Sequence, residues 1–163
     1  MKLLKTIINV ILTLIIVIAI IIILLLLIGI KSYVALSGSM EPMIKTGSLC
    51  FINKNVDFED IKEQDVIAYK MDNGTIVIHR VLEKNSEQLI TKGDANELVD
   101  EGVVTKDNYI GKNIFIIPKI GYVVMMIQSK NGIIISLSII ILMLIGAFLF
   151  DDKKDNKEKN NEI

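Results

Sequence analysis

The chain has 163 residues, 52% of them hydrophobic, with 18 basic against 19 acidic side chains. That apolar content is too high for a soluble domain of this length, and the balanced charge offers no basic field for holding nucleic acid. One cysteine, Cys50, and one histidine, His79, exclude an internal disulfide framework and a Cys/His zinc site. The abundance of aliphatic residues also rules out disorder along the whole chain, which leaves a membrane protein.

Residues 1–5 are a short basic flank, and no charge occurs from Thr6 to Ile30. As a helix that run measures about 37 Å, more than the ~30 Å hydrocarbon core requires. Ala35-Leu36-Ser37 has the small-x-small look of a cleavage site. The run is nevertheless far longer than the ~7–15-residue apolar region of a cleavable leader, so an uncleaved anchor over 6–30 is expected.

Residues 31–130 carry 12 basic and 14 acidic side chains and are long enough for one small core. The pattern there is mainly β. Gly47–Asn53, Asp65–Lys70, Thr75–Glu83, Gln88–Thr91 and Tyr109–Ile117 are short β-branched or aromatic runs between turn residues. Asp72-Asn73-Gly74 reads as a hairpin, with Asn-Gly suited to a type I′ turn. Tyr122–Gln128 is weakly amphipathic and reads equally as a helix, a strand or a membrane-surface segment.

A second uncharged run, 131–150, is about 30 Å long as a helix and is expected to span. A charged tail, 151–163, follows it. Lys2 and Lys5 precede the first run, and Lys153, Lys154, Lys157 and Lys159 follow the second. The positive-inside rule then places both termini in the cytoplasm and 31–130 on the other side.

Three segments of the β-region hold groups able to do chemistry. Leu36-Ser37-Gly38-Ser39-Met40-Glu41-Pro42 is a polar bend in which a serine can be closely approached, although Ser-Gly-Ser is also ordinary linker composition. His79, in Ile78-His79-Arg80-Val81, shares a strand face with Val77 and Val81 and is the only possible histidine base. Thr91-Lys92-Gly93-Asp94-Ala95-Asn96 reads as a turn after a strand, with Asp100 a few residues on. Nucleophile, base and orienting acid occur in the order Ser, His, Asp, but triads occur in several orders, so order decides nothing.

The run Leu36–Pro42, followed by Thr46-Gly47-Ser48, resembles the nucleophile box of type I signal peptidases. His79-Arg80-Val81 resembles their general-base box. Lys92–Asn96 with Asp100 resembles their Gly-Asp-Asn-Asn box and the acid after it. Gly111-Lys112 and Ile117–Tyr122 look like the segment returning toward the membrane, so the resemblance runs in order over residues 34–125. Histidine at the base position is similar to the endoplasmic-reticulum type, found in eukaryotes, archaea and some Gram-positive bacteria, where most bacterial members have lysine. Ala95 where asparagine is usual, and Gly47-Ser48 where Gly-Asp is usual, are departures expected to alter turn packing and not activity.

The resemblance implies a small exported β-domain of the signal peptidase type between two transmembrane helices. It implies a serine endopeptidase that removes signal peptides after small residues at the −1 and −3 positions, without metal or cofactor. Ser39 would be the nucleophile, His79 the base and Asp100 the acid that orients it. Ser37 would help the Ser39 amide at the oxyanion, and Asp94 would either fix the turn or share the orienting role. Implied partners are signal-peptide-bearing preproteins, the lipid bilayer and the protein export machinery. The place implied is the cell membrane, or the endoplasmic reticulum if the source is eukaryotic. The competing reading is a non-catalytic, membrane-tethered β-module that assembles or regulates exported proteins. Cys50, in an expected strand, reads as a small buried hydrophobe.

Overall fold

A computed structural model describes residues 2–159; residues 160–163 of the expected tail lie outside the described residues. The elements run α1 (Lys2–Leu27), β1 (Ile30–Val34), β2 (Leu49–Asn53), a 3₁₀ turn (Phe58–Asp60), β3 (Val66–Lys70), β4 (Ile76–Lys84), β5 (Leu89–Lys92), β6 (Tyr109–Ile117), α2 (Ile120–Gln128) and α3 (Lys130–Lys159). They form two compact units. One holds the helical residues up to Leu24 and from Ile127 on, and the other is the β-rich stretch Leu25–Met126.

In the first unit, α1 and α3 are each long and apolar enough to cross a membrane, over Leu3–Leu27 and Lys130–Ala147. The first apolar run stops being helical three residues before its expected end. Gly29 adopts φ +79° and its N–H bonds back to the Leu26 carbonyl at 3.1 Å, a helix end that glycine accepts without steric cost. Helix α3 runs past the expected boundary at Phe150 into the charged tail, where neither glycine nor proline interrupts it.

The second unit is built on one antiparallel sheet with strand order β1-β2-β6-β3-β4-β5. The five expected strands are all present. Strand β1 was not expected, because Ile30–Val34 is short and its start belongs to the apolar run; pairing with β2 over its whole length makes it a strand. The segment read ambiguously at Tyr122–Gln128 is helical, as α2. The hairpin falls at Asp72-Asn73-Gly74, but it is not type I′. Only Gly74 has positive φ, Gly74 N–H bonds the Met71 carbonyl at 2.8 Å, and Met71 N–H bonds the Thr75 carbonyl at 2.8 Å. This is a type I turn closed by a left-handed glycine, in a loop one residue longer than the Asn-Gly pair alone suggests.

The register Ile67↔His79 and Tyr69↔Val77 puts Ile67, Tyr69, His79 and Val81 on one face of the sheet. Ile67, Tyr69 and Val81 are buried there with Phe58, Ile61, Leu89 and Val104. The opposite face buries Met40, Ile44, Cys50, Ile52, Val66 and Ala68. Gly47 (φ +79°) turns the chain into β2, and a Cβ there would run into the Tyr122 ring, so the bend and the start of α2 require glycine together. Beside it Ser48 is fully buried.

Burial raises the phenols of Tyr69 and Tyr109 above their ordinary range, the nearby charges of Asp100 on the first and Asp65 on the second adding to it. The folded chain therefore binds more protons than the unfolded chain once pH passes ~10, where free phenols ionise. Stability present below that pH is expected to fall as pH rises through it. Unfolding of the full chain in detergent, followed from pH 8 to 12, checks this, and Tyr109→Phe should flatten the loss.

Candidate active site

Ser39 lies in an irregular bend between β1 and β2. Met40 and Ile44, buried at 3% and 1% exposure, anchor the residues after it, while Glu41 N–H bonds the Gly38 carbonyl and Ile44 N–H the Met40 carbonyl, each at 2.9 Å. Its own carbonyl accepts the Ala95 N–H at 2.8 Å, which ties the Ser39 bend to the turn after β5. Gly93 in that turn packs so closely that a Cβ would stand 2.5 Å from the Ser39 carbonyl oxygen.

His79 is 8% exposed on β4. Its Nε2 is 3.0 Å from Ser39 Oγ and its Nδ1 is 2.7 Å from Asp100 Oδ2. Asp100 reaches the imidazole from an irregular stretch after β5, held by its N–H on the Thr91 carbonyl at 2.9 Å. Ser37 Oγ is 3.2 Å from Ser39 Oγ.

Asp94 is placed elsewhere. It accepts two hydrogen bonds from Arg80, from Nε and Nη2, both at 2.7 Å. Arg80 also donates to the Gln64 carbonyl at 2.8 Å, and the Asp94 hydrogen bonds are the main cause of a guanidinium pKa above its usual value. This bidentate pair holds the turn after β5 against β4. Of the five expected site residues, four thus form a connected series and Asp94 pairs with Arg80.

Three side chains of the site escaped sequence reasoning. Arg80 adjoins His79 on β4, so strand alternation turns it to the opposite face, and an acid in the turn after β5 is its available partner. Tyr69 and Thr91 donate to Asp100 Oδ2 at 2.9 and 2.7 Å. The hairpin register alone would have put Tyr69 on the face of His79.

A cleft of about 640 Å³ opens beside Ser39 and His79. Its walls come from Tyr33–Ser37, from Met40 and Ile44, and from Gly74–Ile78. β5 pairs with β4 only from Arg80 onward, so the Ile76–His79 half of β4 is bonded to β3 on one side and open on the other. An open strand edge can take an extended peptide as a further strand.

Among the described residues, no group of three or more His, Cys, Asp or Glu side chains is placed to hold a metal ion. Cys50 is fully buried, and burial pushes its thiol up to about 11. Little thiolate forms at neutral pH, and reagents cannot reach what does. Treatment of the folded chain with a maleimide should leave activity unchanged and modify Cys50 only after denaturation.

Fold and site together define a class: an antiparallel β-domain presenting a hydroxyl, an imidazole and a carboxylate in hydrogen-bonded series at the mouth of an apolar cleft. The family described as signal peptidase, peptidase S26, matches residues 7–113, more than half of the chain. The chain belongs to that family. It is 39% identical over 77 residues to signal peptidase I W of Bacillus subtilis (strain 168), covering 45% of this chain and 40% of that protein. It is 34% identical over 109 residues to the signal peptidase complex catalytic subunit SEC11 of Colletotrichum graminicola, covering 59% and 63%. The SEC11 subunit of Eremothecium gossypii is 36% identical over 112 residues, covering 60% and 66%. The chain thus matches less than two thirds of the length of each of these relatives.

Proposed function

We propose that the chain is a membrane-bound serine endopeptidase, a signal peptidase I of the Ser/His type, that removes signal peptides from exported preproteins. The observation that carries this reading is the series Ser39 Oγ, His79 Nε2, His79 Nδ1, Asp100 Oδ2, with spacings of 3.0 and 2.7 Å. Names of relatives point the same way.

Ser39 Oγ attacks the scissile carbonyl while its proton passes to His79 Nε2. Asp100 accepts the Nδ1–H, which keeps the lone pair of Nε2 toward the serine and then stabilises the imidazolium. His79 returns the proton to the departing amine, and an acyl ester remains on Ser39. A water molecule, losing a proton to His79, attacks the ester; His79 returns that proton to the departing Ser39 Oγ, and the signal peptide leaves as a carboxylic acid. The Ser39 N–H, with the Ser37 hydroxyl beside it, meets the oxyanion; one such donor is typically worth ~2.7–4 kcal/mol.

The substrate lies extended along the open half of β4, its small side chains entering the cleft between Tyr33–Ser37 and Ile76–Ile78. Aliphatic walls with few polar atoms favour alanine-sized residues at the −1 and −3 positions and offer nothing to a charged one. The first apolar run spans the bilayer as helix α1, which ends at Leu27, and the second as α3 over 131–150, both termini being cytoplasmic and residues 31–130 lying outside. Eight residues separate Ile30 from Ser39. The nucleophile therefore works close to the bilayer, where a preprotein's own apolar segment holds its cleavage site at high effective concentration. The export machinery would deliver such preproteins.

The test is cleavage of a signal-peptide-bearing precursor by the full chain in detergent or liposomes. A product cut after an Ala-x-Ala motif, absent with Ser39→Ala, supports the reading. Equal cleavage by Ser39→Ala would sink it.

A further inference from the structure

We propose that Tyr69 and Thr91 are positioning residues of this reaction, two hydroxyls that clamp the Asp100 carboxylate and through it set the tautomer and orientation of His79. The proposal rests on the reading of Ser39, His79 and Asp100 given above. Asp100 belongs to no helix or strand, so its side chain must be held by something other than its own backbone. Tyr69 stands on β3 and Thr91 on β5, the strands flanking β4, which carries His79. Both are buried, at 6% and 2% exposure. Their hydroxyls donate to the same oxygen, Oδ2, that accepts from His79 Nδ1, at 2.9, 2.7 and 2.7 Å respectively. The Thr91 hydroxyl also lies 3.2 Å from the Tyr69 oxygen, so the clamp is one cluster.

Two donors on one carboxylate oxygen fix its rotation. The imidazole then has a fixed acceptor for Nδ1–H, and Nε2 is left to accept from Ser39. Burial above all, with the charge of Asp100 adding to it, keeps the Tyr69 phenol protonated far into the alkaline range, so it remains a donor wherever the enzyme works. The titratable group bonded to the imidazole is Asp100, and Tyr69, on the same sheet face, is bonded to that carboxylate. Ser39, with Ser37 bonded to it, meets the other ring nitrogen, Thr91 reaches the imidazole only through Asp100, and neighbouring Arg80 and Asp94 bond each other. Neither Tyr69 nor Thr91 lines the cleft beside Ser39, so the clamp acts on turnover and not on substrate affinity.

The experiment compares kcat, KM and the pH dependence of kcat/KM for wild type, Tyr69→Phe, Thr91→Val and Thr91→Ser, using the full chain in detergent and a signal-peptide-bearing precursor. Tyr69→Phe and Thr91→Val should each lower kcat about tenfold, as expected for one hydrogen bond to a charged group, with KM unchanged. The less satisfied carboxylate attracts the imidazolium more strongly, so the acid limb of kcat/KM should move to higher pH. Thr91→Ser keeps the hydroxyl and should recover most of the kcat lost in Thr91→Val. A purely structural role would lower Tm without moving the acid limb and would not distinguish serine from valine. Wild-type kcat with an unmoved limb in both hydroxyl-deleted variants overturns the clamp. So does a loss that serine fails to rescue. If Tyr69→Phe does not fold, the Thr91 pair decides alone. Ser39→Ala is measured alongside: if it cleaves normally, the reading of the site falls, whereas an inert Ser39→Ala beside unaffected hydroxyl variants removes only the clamp.

Discussion

Ser39→Ala and His79→Ala should each reduce precursor cleavage by roughly 10⁶-fold, and the double variant should be no worse than either alone, because nucleophile and base act as one unit. Asp100→Ala should be milder, a loss of roughly 10³–10⁴-fold, since the nucleophile and the oxyanion donors survive while the imidazole loses its tautomer. Asp94→Ala separates the two acids. Its carboxylate touches Arg80 and not His79. The variant should therefore lower Tm, leaving Arg80 half-buried and without its anion, and should retain more activity than Asp100→Ala. The opposite order, with Asp94→Ala inert and Asp100→Ala active, would transfer the orienting role to Asp94. These rates are read by gel or mass spectrometry on a precursor with an Ala-x-Ala site.

The second large effect is expected from a residue with no side chain. Gly93 sits where a Cβ would meet the Ser39 carbonyl oxygen at 2.5 Å and the Asn96 side-chain nitrogen at 2.8 Å. The Asn96 amide can move, but the Ser39 carbonyl belongs to the backbone that sets the position of the Ser39 hydroxyl. Gly93→Ala should therefore shift Ser39 relative to His79 while leaving the sheet intact. A displacement of about 1 Å at a reacting group can cost about 10²-fold in rate. Circular dichroism and Tm near wild type, with kcat down by about that factor, is the expected outcome. Full activity in Gly93→Ala would mean that the close contact between the two bends plays no part in placing the serine.

Much of this molecule could be read along the chain. Uncharged runs of 25 and 20 residues mark the apolar helices because no folded core of this size could bury them, and helix is the form that satisfies their backbones within the segment. β-Branched alternation marks five of the six strands, since alternation is local. The edge strand β1 escaped because its existence depends on a partner 19 residues away, β2, and not on its own composition. The hairpin was placed correctly and typed wrongly, because the choice between a two- and a three-residue loop lies in how Met71 and Thr75 pair across it.

Residue types alone determined which groups could do chemistry. One histidine leaves one imidazole base, and the serines and acids near it in motif order supply its partners. Which acid meets which cation was beyond reach of sequence spacing, since Asp94 and Asp100 lie in the same irregular stretch and either is plausible at the imidazole. The tertiary structure divides them: β4 directs Arg80 and His79 to opposite faces, so Asp94 joins the guanidinium on one side and Asp100 the imidazole on the other. The hydroxyls of Tyr69 and Thr91 entered the same way, from strands brought alongside β4 by pairings that no local pattern records. Chemistry of the side chains was legible because it belongs to each residue, and their company was not, because it belongs to the sheet.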